Sequence, residues 1–327
     1  MRIGIDSYAI LPLGKAPLDT LCWAAAHGAE GVQFSGLNAE EMRLVDDAYL
    51  QDLAGFASDH DLYLEWGGGQ HIPMDMQTWR KKDIMEPNRR AAVQAARLGA
   101  RVVRSCSGGL MRWQEDSPDT ATFLREMAAA LREQRTMLQD HGVVLAIETH
   151  FEFTTFELLR LFDMCDAHPG EWLGVCLDTM NLLTMLEDPA AATRRILPWV
   201  ACTHIKDGGI LLTGEGLTTF PAPVGEGIVD LRGIISLLAD RPDAVHLSIE
   251  DHGGEFHLPI FDERFRAEFP DLSLQEFVAL CRLTFLTARR MRAGTLKTTS
   301  RQDWPQVCEE RIKRDIAALR AITAGDV

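Results

Sequence analysis

Short apolar runs rich in β-branched residues alternate along the chain with longer stretches whose apolar positions recur every three or four residues. The first pattern predicts buried parallel strands and the second amphipathic helices. The runs lie at 3–6, 31–35, 62–66, 102–106, 143–150, 173–178, 200–204 and 244–250. Helical periodicity covers 17–27, a stretch N-capped by Asn38 and running towards Ser58, 87–98, 119–140, a segment capped by Thr154, 189–197 and 230–239. Gly28, Gly99 and Gly142 stop three of these helices, as residues that accept a left-handed conformation do. After the eighth run come a polar and aromatic loop at 252–271, a helix at 272–291 and a last helix at 304–322.

Eight strands, each followed by a helix, with crossovers long enough for parallel pairing, predict a single (β/α)8 barrel over 1–327. Residues 294–327 read as a C-terminal helical extension beyond the barrel's needs, placed to cap its base, to dock on a second copy or to hold a small partner subunit. A doubly wound open sheet is the structural alternative. Its nucleotide-binding signature is missing, since neither Gly67-Gly68-Gly69 nor Gly225-Glu226-Gly227 has the required glycine spacing.

Composition narrows the function. Hydrophobic residues make up 46% and charged residues 25%, as in ordinary globular domains. The net charge of −15 opposes a phosphate backbone, which argues against nucleic acid as partner and favours a small carbohydrate-derived or metal-chelated substrate. The seven cysteines are scattered without a C-x-x-C pair, so neither a disulfide framework nor a structural zinc site is expected. The strand-like start without an apolar leader points to the cytoplasm. No run approaches the roughly 18 apolar residues of a membrane span.

In a barrel of this kind chemistry sits at the C-terminal ends of the strands. The terminating residues are Asp6, Ser35, Glu65, Arg104, Glu148, Asp178, His204 and Glu250. The last four bring three carboxylates and one imidazole to one mouth. Singly, Asp178 reads as a helix cap, His204 as a core histidine and Glu250 as half of an ion pair. Together, clustered buried carboxylates need a cation to offset their repulsion. Oxygen-rich ligation with one imidazole suits Mn²⁺ or Mg²⁺ first, then Co²⁺ or Zn²⁺.

The segments Ile147-Glu148-Thr149-His150, Cys176-Leu177-Asp178-Thr179, His204-Ile205-Lys206-Asp207, Pro223-Val224-Gly225-Glu226-Gly227 and Ser248-Ile249-Glu250 carry a family resemblance. The chain resembles the xylose isomerase-like TIM barrels, the sugar isomerase/epimerase superfamily that includes ketose 3-epimerases, inosose dehydratase-like proteins and, more distantly, endonuclease IV. The resemblance implies that Glu148, Asp178, His204 and Glu250 hold one Mn²⁺-like ion, and that Glu148 and Glu250 exchange a proton with substrate from opposite faces. Two departures stand out. Members acting on simple ketoses carry His three residues after the strand-six Asp, where this chain has Asn181. They also carry an Arg shortly beyond the strand-seven His, where this chain has 208–212, Gly-Gly-Ile-Leu-Leu.

His150 follows Glu148 at strand spacing and is a further candidate base; His252 stands in the same relation to Glu250. A loop hydrogen bond is the plainer reading of either. Arg104, Lys206, Asn181 and Glu65 are candidate substrate-binding groups, with barrel-interior ion pairs, Arg104 to Glu65 and Lys206 to Asp207, as the plainer role. Trp66 and Trp113 are candidate stacking platforms for a sugar or aglycone, although packing is the commoner use of such residues.

The first functional reading is a divalent-metal-dependent isomerase/epimerase that works on a sugar or oxidised sugar derivative through an enediolate. The second is a lyase that uses the same site for dehydration, decarboxylation or aglycone loss. The α subunits of C-glycoside deglycosidases, which this chain also resembles, are of that kind. The loop after Glu250 and the missing ketose-gripping residues lean towards the lyase. An abasic-site nuclease would need more strand-end histidines and a basic face.

Overall fold

Residues that alternate inward and outward on a parallel strand buried on both faces must be apolar on both. The first strand, β1 (Ile3–Asp6), and β2 (Gly31–Phe34), β3 (Tyr63–Gly69), β4 (Val102–Ser105), β5 (Val144–Glu148), β6 (Leu173–Asp178) and β7 (Val200–Ile205) meet that condition. In the computed structural model these strands and a short β10 (Leu247–Ile249) close into a parallel barrel in the order β1-β10-β7-β6-β5-β4-β3-β2. The residues described are 1–35, 37, 41, 45–106, 109, 112, 114–241 and 245–325. Asn38, Trp113 and the start of the predicted eighth strand at 244 lie outside them.

The register fixes which side chains share a layer. Asp6 pairs with Gln33, Gln33 with Glu65, Glu148 with Cys176, Asp178 with His204, and His204 with Ser248. Helices ring the barrel and bury Leu21, Leu53, Ala92, Met127, Leu158, Leu161, Ile196 and Ile234 against it. The helix after β5, Thr155–Met164, starts with a full capping box. The Thr154 hydroxyl accepts from the Glu157 N–H, and Glu157 returns a bond to the Thr154 N–H.

Three elements differ from those expected. The strand expected to stop at Trp66 runs on through Gly67–Gly69, because the glycines let the backbone continue without side chains against β2; a Cβ on Gly67 would lie 2.5 Å from the Phe34 carbonyl oxygen. The helix expected over 119–140 is two, Thr120–Arg132 and Arg135–Asp140.

Beyond β7 the chain forms an unexpected hairpin, β8 (Asp207–Leu212) and β9 (Leu217–Ala222), to which β11 (Phe256–Leu258) adds a third antiparallel strand. The last helix, Trp304–Ala324, is the C-terminal helix expected beyond the eighth strand. It packs on β1, β10 and the 3-10 segment Ser7–Leu13, with Trp304 Nε1 donating to the Ala9 carbonyl at 3.2 Å. The helix Leu274–Arg292 instead lies over the β8–β9 hairpin.

Candidate functional site

Glu148, Asp178 and His204 end or nearly end adjacent strands, so barrel geometry alone brings them together. Each offers one donor atom, and these atoms all lie within 4.8 Å of one another in a fully buried group. Asp178 is fixed by the turn that follows it: its Oδ1 accepts from Met180 N at 2.9 Å and Asn181 N at 2.8 Å, while Thr149 Oγ1 accepts from its own N–H at 2.8 Å. His204 is fixed on both sides. Its Nδ1 lies 3.3 Å from Glu148 Oε1, and its Nε2 is hydrogen-bonded to Gln33 Oε1 and 3.2 Å from Asp6 Oδ2.

Two cations share the space. Arg104 bonds Glu148 Oε2 through Nη2. Lys206 stands between two carboxylates, 3.0 Å from Asp178 Oδ2 and in closer contact with Glu250 Oε2. Among the described residues neither oxygen forms an aligned hydrogen bond, and both face the ammonium.

Their pKa values follow from these neighbours. Burial raises Glu148, but Arg104 and His204 override it and hold its carboxyl well below the usual range. Burial also works against Glu250, yet Lys206, His252 and His204 bring it to about 2. Asp178 is raised, by burial first, against the pull of Lys206. Burial lowers His204, but Cys176 and Glu148 more than offset it and raise its pKa well above the ordinary value.

The donor set of two carboxylates and an imidazole fits a divalent ion. The buried Asp178 Oδ2 atom, 3.0 Å from Lys206 Nζ but without an aligned hydrogen bond among the described residues, is the kind of group such an ion satisfies. Glu148, Asp178 and His204 are the residues that would hold it. Glu250, expected as a fourth ligand, is paired with Lys206 and is not part of their cluster.

The other candidates fall into two groups. Arg104 and Lys206 are at the mouth, paired with Glu148, Asp178 and Glu250 rather than with Glu65 or Asp207. Asn181 is also there, buried, with its side-chain nitrogen unpaired among the described residues. His150 is near the mouth, its Nδ1 3.1 Å from Glu152 Oε1. Burial lowers its pKa, but Glu152 and Cys106 raise it well above the ordinary value. His252 Nε2 lies 3.8 Å from Glu250 Oε1, while its Nδ1 bonds the Gly253 carbonyl.

Glu65 and Trp66 belong to the second group. Because β3 continues to Gly69, Glu65 sits in mid-strand, takes a 2.6 Å bond from Gln33 Nε2 and borders a cavity of about 620 Å³ at the N-terminal end of the barrel with Tyr63 and His246. Gln33, whose Oε1 bonds His204 Nε2, stands between Glu65 and the cluster. Trp66 is core, with Nε1 donating to Gln94 Oε1 at 3.1 Å.

Burial raises the Glu65 pKa from its usual 4.5 to about 8. The folded protein therefore holds this proton more tightly than the unfolded chain. The resulting stability is present in full below about pH 4.5 and is lost as the pH rises through about 8. Glu65→Gln, measured by denaturant unfolding of metal-free protein, should remove that slope, with a gain on the order of 3 kcal/mol at pH 7 that vanishes by pH 4.5. An unchanged slope would show that Glu65 ionises freely.

Sequence reasoning missed Gln33, which holds His204, and the neighbours Cys106, Glu152 and His71. Inward alternation along β2 does mark Gln33, two residues before Ser35. Asp207, by contrast, is structural: its carboxylate accepts from the N–H groups of Gly208, Gly225, Gly227 and Val229 at 2.8 to 3.1 Å. Any side chain at 227 would strike it, since a Cβ there would lie 2.0 Å from Asp207 Oδ1.

Residues 21–262 match the family described as xylose isomerase-like TIM barrel. An uncharacterised protein of Escherichia coli strain K12, YihM, is 24% identical over 260 residues, covering 77% of this chain and 72% of YihM. Among solved structures, a D-allulose 3-epimerase from Methylomonas superposes with a TM-score of 0.62 at 13% identity, over 98% of both chains. The probable 3-DHS dehydratase AsbF of Bacillus anthracis superposes with a TM-score of 0.59 at 18% identity, over 76% of this chain and 92% of its own. At these identities the superpositions speak for the shared fold.

Proposed function

Because the chain belongs to the xylose isomerase-like TIM barrel family, we propose that it is a divalent-metal-dependent isomerase or epimerase acting on a sugar or an oxidised sugar derivative. The observation that carries this reading is the buried Glu148–Asp178–His204 cluster at the barrel mouth, flanked by Arg104 and Lys206. A divalent ion bound there, Mn²⁺ by preference, supplies Lewis acidity that polarises a carbonyl and acidifies the adjacent C–H.

The chain's own residues then have defined tasks. Glu148 and Glu250 are the proton carriers. In the structure both are tied up by a cation and are weak bases as they stand. A substrate oxygen that draws Lys206 or Arg104 to itself frees the corresponding carboxylate to take a proton. The same two cations then offset the negative charge left on the substrate. The Asn181 amide nitrogen, without a partner among the described residues, is a donor suited to a substrate hydroxyl or carbonyl.

A lyase on an oxo-sugar, whether dehydratase, decarboxylase or deglycosidase, is the second reading. It is favoured by His150, which Glu152 orients as a third proton-transfer group beside the cluster, and by the likeness to a probable dehydratase. Incubation of Mn²⁺-loaded protein with ketoses, inososes and 3-oxo-glycosides, followed by mass spectrometry, separates them. Products of unchanged mass support isomerisation, whereas loss of water, CO₂ or an aglycone selects the lyase. No conversion of any class would overturn both.

A further inference from the structure

A second group of donors lies beside the first and plays no part in the principal reading above. Cys106 directly follows β4, and His150 and Glu152 lie in the loop after β5. One ligand atom from each, a thiol sulfur, an imidazole nitrogen and a carboxylate oxygen, lies within 4.8 Å of the others. We propose that Cys106, His150 and Glu152 form a second metal site, selective for a thiophilic divalent ion of the Zn²⁺ type.

The donors are held in place. Glu152 is buried, and Arg112 anchors its backbone: Nη2 donates to the Glu152 carbonyl at 2.9 Å and reaches Glu157 Oε2 at 2.5 Å, while Nη1 donates to the Glu268 carbonyl at 2.6 Å. Glu152 in turn holds His150 Nδ1 at 3.1 Å. Phe151, buried, packs its ring 3.9 Å from that of His150. Cys106 and His150 are half-buried, so the site is accessible.

A thiolate and a carboxylate together carry the charge that a divalent ion cancels, and three protein ligands leave a fourth position for water or a substrate oxygen, as in catalytic zinc centres. Sulfur ligation distinguishes the two sites. The Glu148–Asp178–His204 cluster has only oxygen and nitrogen donors and accepts hard ions, whereas Cys106 biases the second site towards soft ones. No local spacing announces such a site, since its ligands come from two loops far apart in sequence.

The inference stands apart from the proton-transfer reading, although His150 bound to metal would no longer serve as a base. Full-length protein stripped by chelator and titrated with Co²⁺ is expected to bind two equivalents, one of which brings a near-ultraviolet sulfur-to-cobalt charge-transfer band. Cys106→Ala should lose that band and one equivalent, while His204→Ala should keep the band and lose the other equivalent. As a check that needs no variant, Zn²⁺ should slow iodoacetamide alkylation of Cys106, followed by peptide mass spectrometry, by tenfold or more. A single equivalent without the band, a band that survives Cys106→Ala, or an unprotected Cys106 would overturn the proposal.

Discussion

Lys206→Met is expected to destabilise the metal-free protein by about 3–5 kcal/mol, the cost of leaving buried charge without its partner. The methionine matches the length of the lysine stem but removes the ammonium that Asp178 Oδ2 and Glu250 Oε2 both face. All three groups are nearly inaccessible to solvent, so water cannot take over. The loss should shrink at low pH as the carboxylates protonate. It should also be partly restored by Mn²⁺, because an ion held by Glu148, Asp178 and His204 would place positive charge on the Asp178 carboxylate. Thermal melts with and without Mn²⁺ at neutral and acid pH give the answer. A variant as stable as wild type, or one that Mn²⁺ does not rescue, would show that Lys206 does not hold the place assigned to it.

The second large effect concerns proton transfer. Glu148→Gln keeps an acceptor for Arg104 Nη2 and a group of the same shape, but it cannot carry a proton. Once a turned-over substrate is known, solvent deuterium incorporation at the carbon beside its carbonyl should fall by about 10²–10⁴-fold. Glu250→Gln discriminates further. If both carboxylates work from opposite faces, its effect matches that of Glu148→Gln. If Glu250→Gln leaves exchange intact while His150→Gln abolishes it, the base is the imidazole and the lyase reading gains. Full exchange in both Glu148→Gln and Glu250→Gln would remove the carboxylates from the chemistry.

Much of the architecture was legible because parallel barrel strands are buried on both faces and so announce themselves as uninterrupted apolar runs. The positions of Glu148, Asp178, His204 and Glu250 at or beside strand ends were legible for the same reason, as ionisable residues where such runs end. The end of β3 was not legible, because Gly67–Gly69 look like a loop and yet extend the strand, which leaves Glu65 in mid-strand. The β8–β9 hairpin was overlooked although Ile210–Leu212 and Leu217–Phe220 flank a glycine-rich turn, the usual hairpin pattern. The pairing of Lys206 with Asp178 and Glu250 was not legible. A long flexible side chain chooses its partner in three dimensions, and the sequence offered Asp207 as a nearer one. Asp207 instead binds four backbone N–H groups. The last helix was legible as an element, but its docking against β1 and Ser7–Leu13 depends on contacts between opposite ends of the chain.

The central claim is that Glu148, Asp178 and His204 hold one divalent ion. Mn²⁺ tests it best, because a thiolate-containing site has little preference for that ion. Metal analysis of purified Mn²⁺-loaded protein should find one equivalent per chain in wild type and none in His204→Ala. A full equivalent retained by His204→Ala would place the metal elsewhere and contradict the account.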